Sequence, residues 1–256
     1  SLWIPALSVR VFGLNSWAIL VPNALMGVAA VALLYWMTRK YFGHWAGILA
    51  GATLALTPVA AMMFRFNNPE ALLILLMIAA VWACLKAVET GRLRWMILVG
   101  VFVGFGFLTK QLQVMLIVPG LAITYFAFGP GGWGRRLAYC FAALGAMIVS
   151  AGWWLLAVAL WPVSSRPWIG GSQHNSVMEL TLGYNGFGRL SGNETGSVGP
   201  GMGRGSYGGA AFGPGGMGAD IAGGGGPGGP GGRGGMWGQP GLLRMFQPEQ
   251  GGQIAW

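Results

Sequence analysis

Gly104-Phe105-Gly106-Phe107-Leu108-Thr109-Lys110-Gln111 is the stretch on which the reading of this chain turns. It lies inside a hydrophobic run from Trp95 to Phe128 that is interrupted only at Thr109-Lys110-Gln111. As one helix that run would be roughly 50 Å long, against a hydrocarbon core of about 30 Å. Lys110 would then sit near mid-bilayer, at a cost of about 3 kcal/mol. Splitting the run at Lys110 gives two short spans and carries the ammonium to a membrane face. The basic residues support the split. It places Arg39, Lys40, Arg92, Arg94, Arg135 and Arg136 on one side, which the positive-inside rule makes the cytoplasm. Without it, Arg135 and Arg136 change sides.

Composition sets the class. Of 256 residues, 54% are hydrophobic and 8% charged, with a mean hydropathy of +0.59, too apolar to solvate a soluble domain. The net charge of +9 is carried by single and paired Lys and Arg between apolar runs, with no basic block interleaved with aromatics. It is a topology signal, and no nucleic-acid partner is expected. Cys84 and Cys140 lie within apolar runs without metal-type spacing and read as packed thiols. His44 and His174 fall on opposite faces, so no metal site is expected from them.

The expected architecture is an all-α membrane protein. Residues 1–16 form an interfacial juxtamembrane helix with Trp3 and Trp17 at headgroup depth. Residues 17–160 form a transmembrane bundle of about six spans, at 17–37, 45–64, 70–88, the two halves of 95–128, and 137–160. The second is kinked at Thr57-Pro58. Residues 161–195 make an ordered extracytoplasmic loop with a short helix near 176–182. The Gly-rich residues 196–241 cannot bury enough apolar surface to order and are expected to be disordered. Residues 242–256 approach a further span that the chain does not contain. The chain opens on Ser1 without a signal peptide, and an N-terminal part is expected to precede it.

By parity, the turn Phe64-Arg65-Phe66-Asn67-Asn68-Pro69-Glu70, the break at Lys110 and everything after Trp161 face outward. In that turn Asn68 suits a helix cap, Pro69 the first helical position, and Glu70 the first turn, where the dipole favours a carboxylate. Arg65, Glu70, Lys110, Arg166, His174, Glu179 and Arg189 thus gather on one face. Cations there suit an anionic lipid headgroup whose chain stays in hydrocarbon. Simpler roles stand beside this one. Lys110 can be a snorkelling charge that ends a helix, Arg65 and Glu70 can mark a hairpin surfacing, and His174 can be a solvated loop histidine. The Gly-rich tail lacks the Lys-Ser/Thr ending of a phosphate loop.

At Arg65-Phe66-Asn67-Asn68-Pro69-Glu70-Ala71-Leu72-Leu73, Gly106-Phe107-Leu108-Thr109-Lys110, and Gly171-Ser172-Gln173-His174-Asn175-Ser176 with Gly183-Tyr184-Asn185-Gly186, the chain resembles bacterial glycosyltransferase family 39. These membrane enzymes are related to protein O-mannosyltransferases and to the aminoarabinose transferases of lipid A. The resemblance implies a GT-C helical bundle in the bacterial plasma membrane. It also implies a polyprenyl-phosphate sugar donor and transfer on the outer face to a protein, lipid or glycan acceptor. No cofactor is implied with certainty, and a divalent cation is left open. The family's principal catalytic acid would lie in an outer loop before Ser1, so the chain is expected to be an incomplete enzyme.

Glu70 takes the place of the family's second acid, usually Asp, with a role in orienting base or acceptor. Lys110 falls at the family's Thr-Lys motif and is assigned to the donor phosphate, with Arg65 as second choice. Asn175, Tyr184, Asn185, Arg189 and His174 are candidates for the acceptor or sugar side. His174 sits in a Ser-Gln-His-Asn string that departs from the expected Asp- or Asn-containing one. The rival from another class is a non-catalytic scaffold presenting the Gly-rich loop, or a transporter fragment. A transporter would carry ionisable or broken-helix features near mid-membrane, and only Pro58 answers that description.

Overall fold

The computed structural model describes residues 2–162 continuously, and then residues 165, 166, 169, 175–178, 180 and 181. Helices α1 (Trp3–Phe12), α2 (Ser16–Phe42), α3 (His44–Leu56), α4 (Pro58–Phe64) and α5 (Glu70–Thr90) form the first half. Helices α6 (Leu93–Thr109), α7 (Gln111–Met115), α8 (Val118–Phe128) and α9 (Trp133–Leu160) form the second. No strand occurs among the described residues, and the protein is an all-α membrane protein.

Four stretches are long and apolar enough to cross a membrane: α2, α5, Gln111–Phe128 and α9. Taken together, α3 and α4 make a fifth, bent by 67°. The bend has a local cause. Pro58 has no N–H to give the helix, and Thr57, the residue before it, is pushed to extended backbone at φ −63°, ψ 116°. Helix α6 is apolar but shorter, at 17 residues.

The core lies where α6 packs between α5 and α9. Leu73, Ala80, Ala83, Cys84 and Ala87 of α5 meet Met96, Val99 and Val103 of α6, with Val114 and Tyr125 closing the far side. Small residues let these helices approach closely, which is how association proceeds where lipid offers no hydrophobic drive. At Gly104 a Cβ would lie 1.9 Å from the Ser150 hydroxyl of α9, so α6 could not sit where it does with a side chain there.

α5 and α6 form an antiparallel hairpin across Gly91, which takes the left-handed backbone (φ 61°) and donates its N–H to Ala87 O at 2.9 Å. One end of this hairpin is basic. Lys40 and Lys86 pair there with Glu89, Tyr41 donates to the same carboxylate at 2.6 Å, and the Arg135 guanidinium donates to Gly91 O at 2.9 Å. The other end brings together the start of α5 and the end of α6.

Candidate functional site

The start of α5 is fixed by its own sequence. Asn68 Oδ1 accepts from the Glu70 N–H at 3.3 Å, and Pro69 already has helical backbone (φ −63°, ψ −13°). The first helical bond runs from Leu73 N–H to Pro69 O at 3.1 Å. The cap expected at Asn68 falls one residue later, at Pro69, whose carbonyl takes that first bond, and Glu70 stands in the first turn, where unpaired amides and the helix dipole favour its negative charge.

The end of α6 is fixed by Lys110. Its N–H still donates to Gly106 O at 2.8 Å, but its backbone is extended (φ −156°, ψ 99°) and the helix stops. α7 then folds back over the last turn of α6. A Cβ at Gly106 would stand 2.7 Å from the Val114 side chain, so a glycine is needed under that fold-back.

The hairpin sets these two ends side by side, and Lys110 Nζ forms an ion pair with Glu70 Oε1 across 40 residues of sequence. The Glu70 side chain is 13% exposed and that of Lys110 37%. The carboxylate, largely out of water, needs a charged partner, and the ammonium meets that need. An ammonium has three N–H groups and Glu70 uses one of them. Lys110 also lines a cleft of about 690 Å³ with Pro69, Leu108, Thr109, Gln111, Trp154, Val177 and Thr181.

A second hollow adjoins that cleft. Leu108, Thr109 and Trp154 also line an apolar groove of about 290 Å³, whose other walls are Trp3 and Ile4 of α1, Leu72 and Leu76 of α5, Phe105 of α6, and Trp153 of α9. Trp3 meets Trp153 and Trp154 edge to face, with ring centroids 5.8 and 4.9 Å apart, which ties α1 over the groove. A separate apolar crevice between α6, α8 and α9, about 250 Å³, has Cys140 as its one ionisable lining residue and offers no comparable chemistry.

The remaining sequence candidates fare differently. Arg65 is exposed at the end of α4, where it lines a shallow hollow with Pro58, Ala61, Met62 and Phe66 and takes no part in the Lys110 cleft. Asn175 is nearly buried, at 9% exposed, in left-handed backbone (φ 53°). Its Oδ1 accepts from Ile169 N–H at 2.8 Å, and its carbonyl accepts from the Arg166 guanidinium at 3.0 Å, so this side chain braces the segment beyond α9. His174, Tyr184, Asn185 and Arg189 lie outside the described residues, as do Glu179 and residues 182–256. Of the anticipated helix near 176–182, the described part is a helical turn with Leu180 N–H donating to Ser176 O at 3.2 Å. Among the described residues no group of three His, Cys, Asp or Glu side chains could hold a metal ion.

Sequence reasoning passed over Gln111, Thr181 and Trp154. Gln111 follows Lys110 directly and could have been read from that position. The other two come from distant segments, and nothing in the sequence pairs them with Lys110.

The family described as dolichyl-phosphate-mannose-protein mannosyltransferase matches residues 1–156, a stretch that holds Glu70, Lys110 and the whole apolar groove. Two curated Bacillus subtilis (strain 168) proteins are similar to the chain. "Putative mannosyltransferase YkcB" is 37% identical over 193 residues, covering 75% of this chain and 27% of that protein. "Putative mannosyltransferase YycA" is 34% identical over 195 residues, covering 76% and 28%. The chain therefore spans little more than a quarter of the length of these relatives. No solved structure matches it.

Proposed function

The chain belongs to the dolichyl-phosphate-mannose-protein mannosyltransferase family, and from that premise we propose that it forms part of a membrane glycosyltransferase that draws its sugar from a polyprenyl-phosphate donor on the outer face of the membrane. The observation that carries this reading is Lys110, an ammonium with donors to spare on a cleft that adjoins an apolar groove.

In this reading the donor phosphate lies against Lys110 and the polyprenyl chain lies between Trp3, Leu72, Leu76, Phe105 and Trp153. The reaction is a displacement at the anomeric carbon. The acceptor hydroxyl oxygen bonds to that carbon, the bond from carbon to phosphate oxygen breaks, and polyprenyl phosphate leaves with the electron pair. The hydroxyl proton passes to a carboxylate base. Negative charge builds on the phosphate as it departs, and the Lys110 ammonium opposes it in a site partly closed to water.

Glu70 pairs with Lys110 and is not among the residues lining the cleft. It acts through Lys110, holding the ammonium against the cleft wall, and is a positioning residue. Among the described residues no carboxylate lines the cleft, so none of them is assigned as the base.

The test is transfer from polyprenyl-phosphate mannose by membranes carrying the native full-length protein. Lys110→Ala should lower turnover by about 100-fold; it also leaves the Glu70 carboxylate without its partner and should lower the thermal midpoint in detergent, so turnover is read per molecule of folded protein in the membrane. Unchanged turnover would overturn the phosphate role.

A further inference from the structure

Gln111 occupies the first position of α7, directly after Lys110, and is one of the residues lining the cleft. Its Nε2 donates to Thr181 Oγ1 at 3.3 Å. Thr181 has one hydroxyl hydrogen and spends it on Val177 O at 2.7 Å, so its oxygen can only accept from Gln111. This fixes the orientation of the amide, which a heavy-atom position alone would leave open. The NH2 group faces Thr181, and Oε1 is left as an acceptor.

That acceptor is buried and has no hydrogen-bond partner. An unpaired buried carbonyl is destabilising, and a fold that retains one beside a cleft calls for an explanation. The parts of a lipid-linked sugar can be asked in turn whether they supply a donor. The ionised phosphate is an acceptor and would be repelled by a carbonyl oxygen. The polyprenyl chain has no polar hydrogen. Only the sugar hydroxyls donate. The 3.3 Å contact to Thr181 is long for a hydrogen bond, so the amide can swing towards a ligand at small loss.

Resting on the glycosyl-transfer reading above, we infer that Gln111 is a specificity residue of the cleft, whose side-chain carbonyl accepts a hydrogen bond from one hydroxyl of the transferred sugar. Thr181 takes the NH2 group and so leaves this oxygen as the acceptor without a partner; it is enclosed there and meets the sugar when the amide swings off its weak contact with Thr181. The neighbouring Lys110 takes the phosphate, so head and sugar are read by two successive residues at one helix break.

The experiment compares wild type, Gln111→Leu and Thr181→Val in membranes carrying the native full-length protein. The donors are polyprenyl-phosphate mannose and its four monodeoxy analogues. Wild type should discriminate against one deoxy donor by about 10- to 100-fold in kcat/KM. Gln111→Leu should lose a similar factor with the fully hydroxylated donor and lose little with that one deoxy donor, which abolishes the discrimination. Thr181→Val should give the same pattern with a smaller amplitude. If Gln111→Leu does not accumulate in the membrane, Thr181→Val alone carries the comparison.

Equal slowing of all five donors would overturn the inference and leave Gln111 a packing residue or the seat of a water. If wild type transfers sugar from none of these donors, nor from polyprenyl-phosphate glucose, the function reading falls and takes this one with it.

Discussion

The two ends of the α5–α6 hairpin each carry a carboxylate on α5, and the two are furnished in opposite ways. At the basic end Glu89 receives Lys40, Lys86 and the Tyr41 hydroxyl, three donors from α2 and α5. At the other end Glu70 receives one ammonium, and that ammonium faces a cleft of about 690 Å³. Glu89 fastens two helices together. Glu70 leaves its partner with unused hydrogens where a ligand can reach them. The two ends thus differ in how many donors the carboxylate takes and in the cleft that Lys110 lines.

Charge exchange is the sharpest way to break this contrast. Lys110→Glu should abolish transfer, by about 1000-fold or more, since it sets a second carboxylate against Glu70 and against the phosphate. Adding Glu70→Lys restores an ion pair and should recover the thermal midpoint in detergent but not turnover, because the cation then sits behind the cleft wall. Full recovery of transfer in the double variant would reduce the pair to a strut. The matching exchange at the other end, Lys40→Glu with Glu89→Lys, should leave transfer within about twofold of wild type, as expected for exposed pairs.

Smaller effects refine the picture. Glu70→Gln removes the charge that holds Lys110 but keeps the side chain's shape, and should lower turnover about tenfold. The loss should appear mostly in kcat/KM, because a freed ammonium is misplaced rather than absent. A variant as fast as wild type would show that Lys110 needs no anchor. Arg65→Ala should change transfer by less than about twofold, since Arg65 is exposed and lines a different hollow. A loss as large as that of Lys110→Ala would return Arg65 to the phosphate.

Much of this arrangement was legible before any coordinates. Lys110 ends a helix because a longer one would strand its charge in hydrocarbon, and Asn68-Pro69 starts a helix because the fixed φ of Pro69 is already helical, with the cap at Pro69 and not at Asn68. Even the meeting of Glu70 and Lys110 was within reach. They stand twenty-one residues before and nineteen after Gly91, so an antiparallel hairpin folded there must bring them level.

What could not be read depends on angles and distant partners. Arg65 and Lys110 were expected on one face as alternative phosphate ligands, and hydropathy gives no more than the face. The bend at Thr57-Pro58, 67° in size, helps decide which hollow Arg65 lines. Thr181 reaches Gln111 across 70 residues, by a path beyond α9 that no periodicity encodes.

The hairpin has a further property as a measuring device. One residue added to α6 between Gly91 and Lys110 would turn everything beyond it by about 100° around the helix axis and advance it about 1.5 Å. Mean hydropathy would hardly change, yet the ammonium would face another neighbour and Glu70 would be left alone. Gly104 adds to the sensitivity, because it would rotate away from Ser150 and a bulkier residue would take its place against α9. In this hairpin the count of residues, as much as their identity, is what evolution would have to keep.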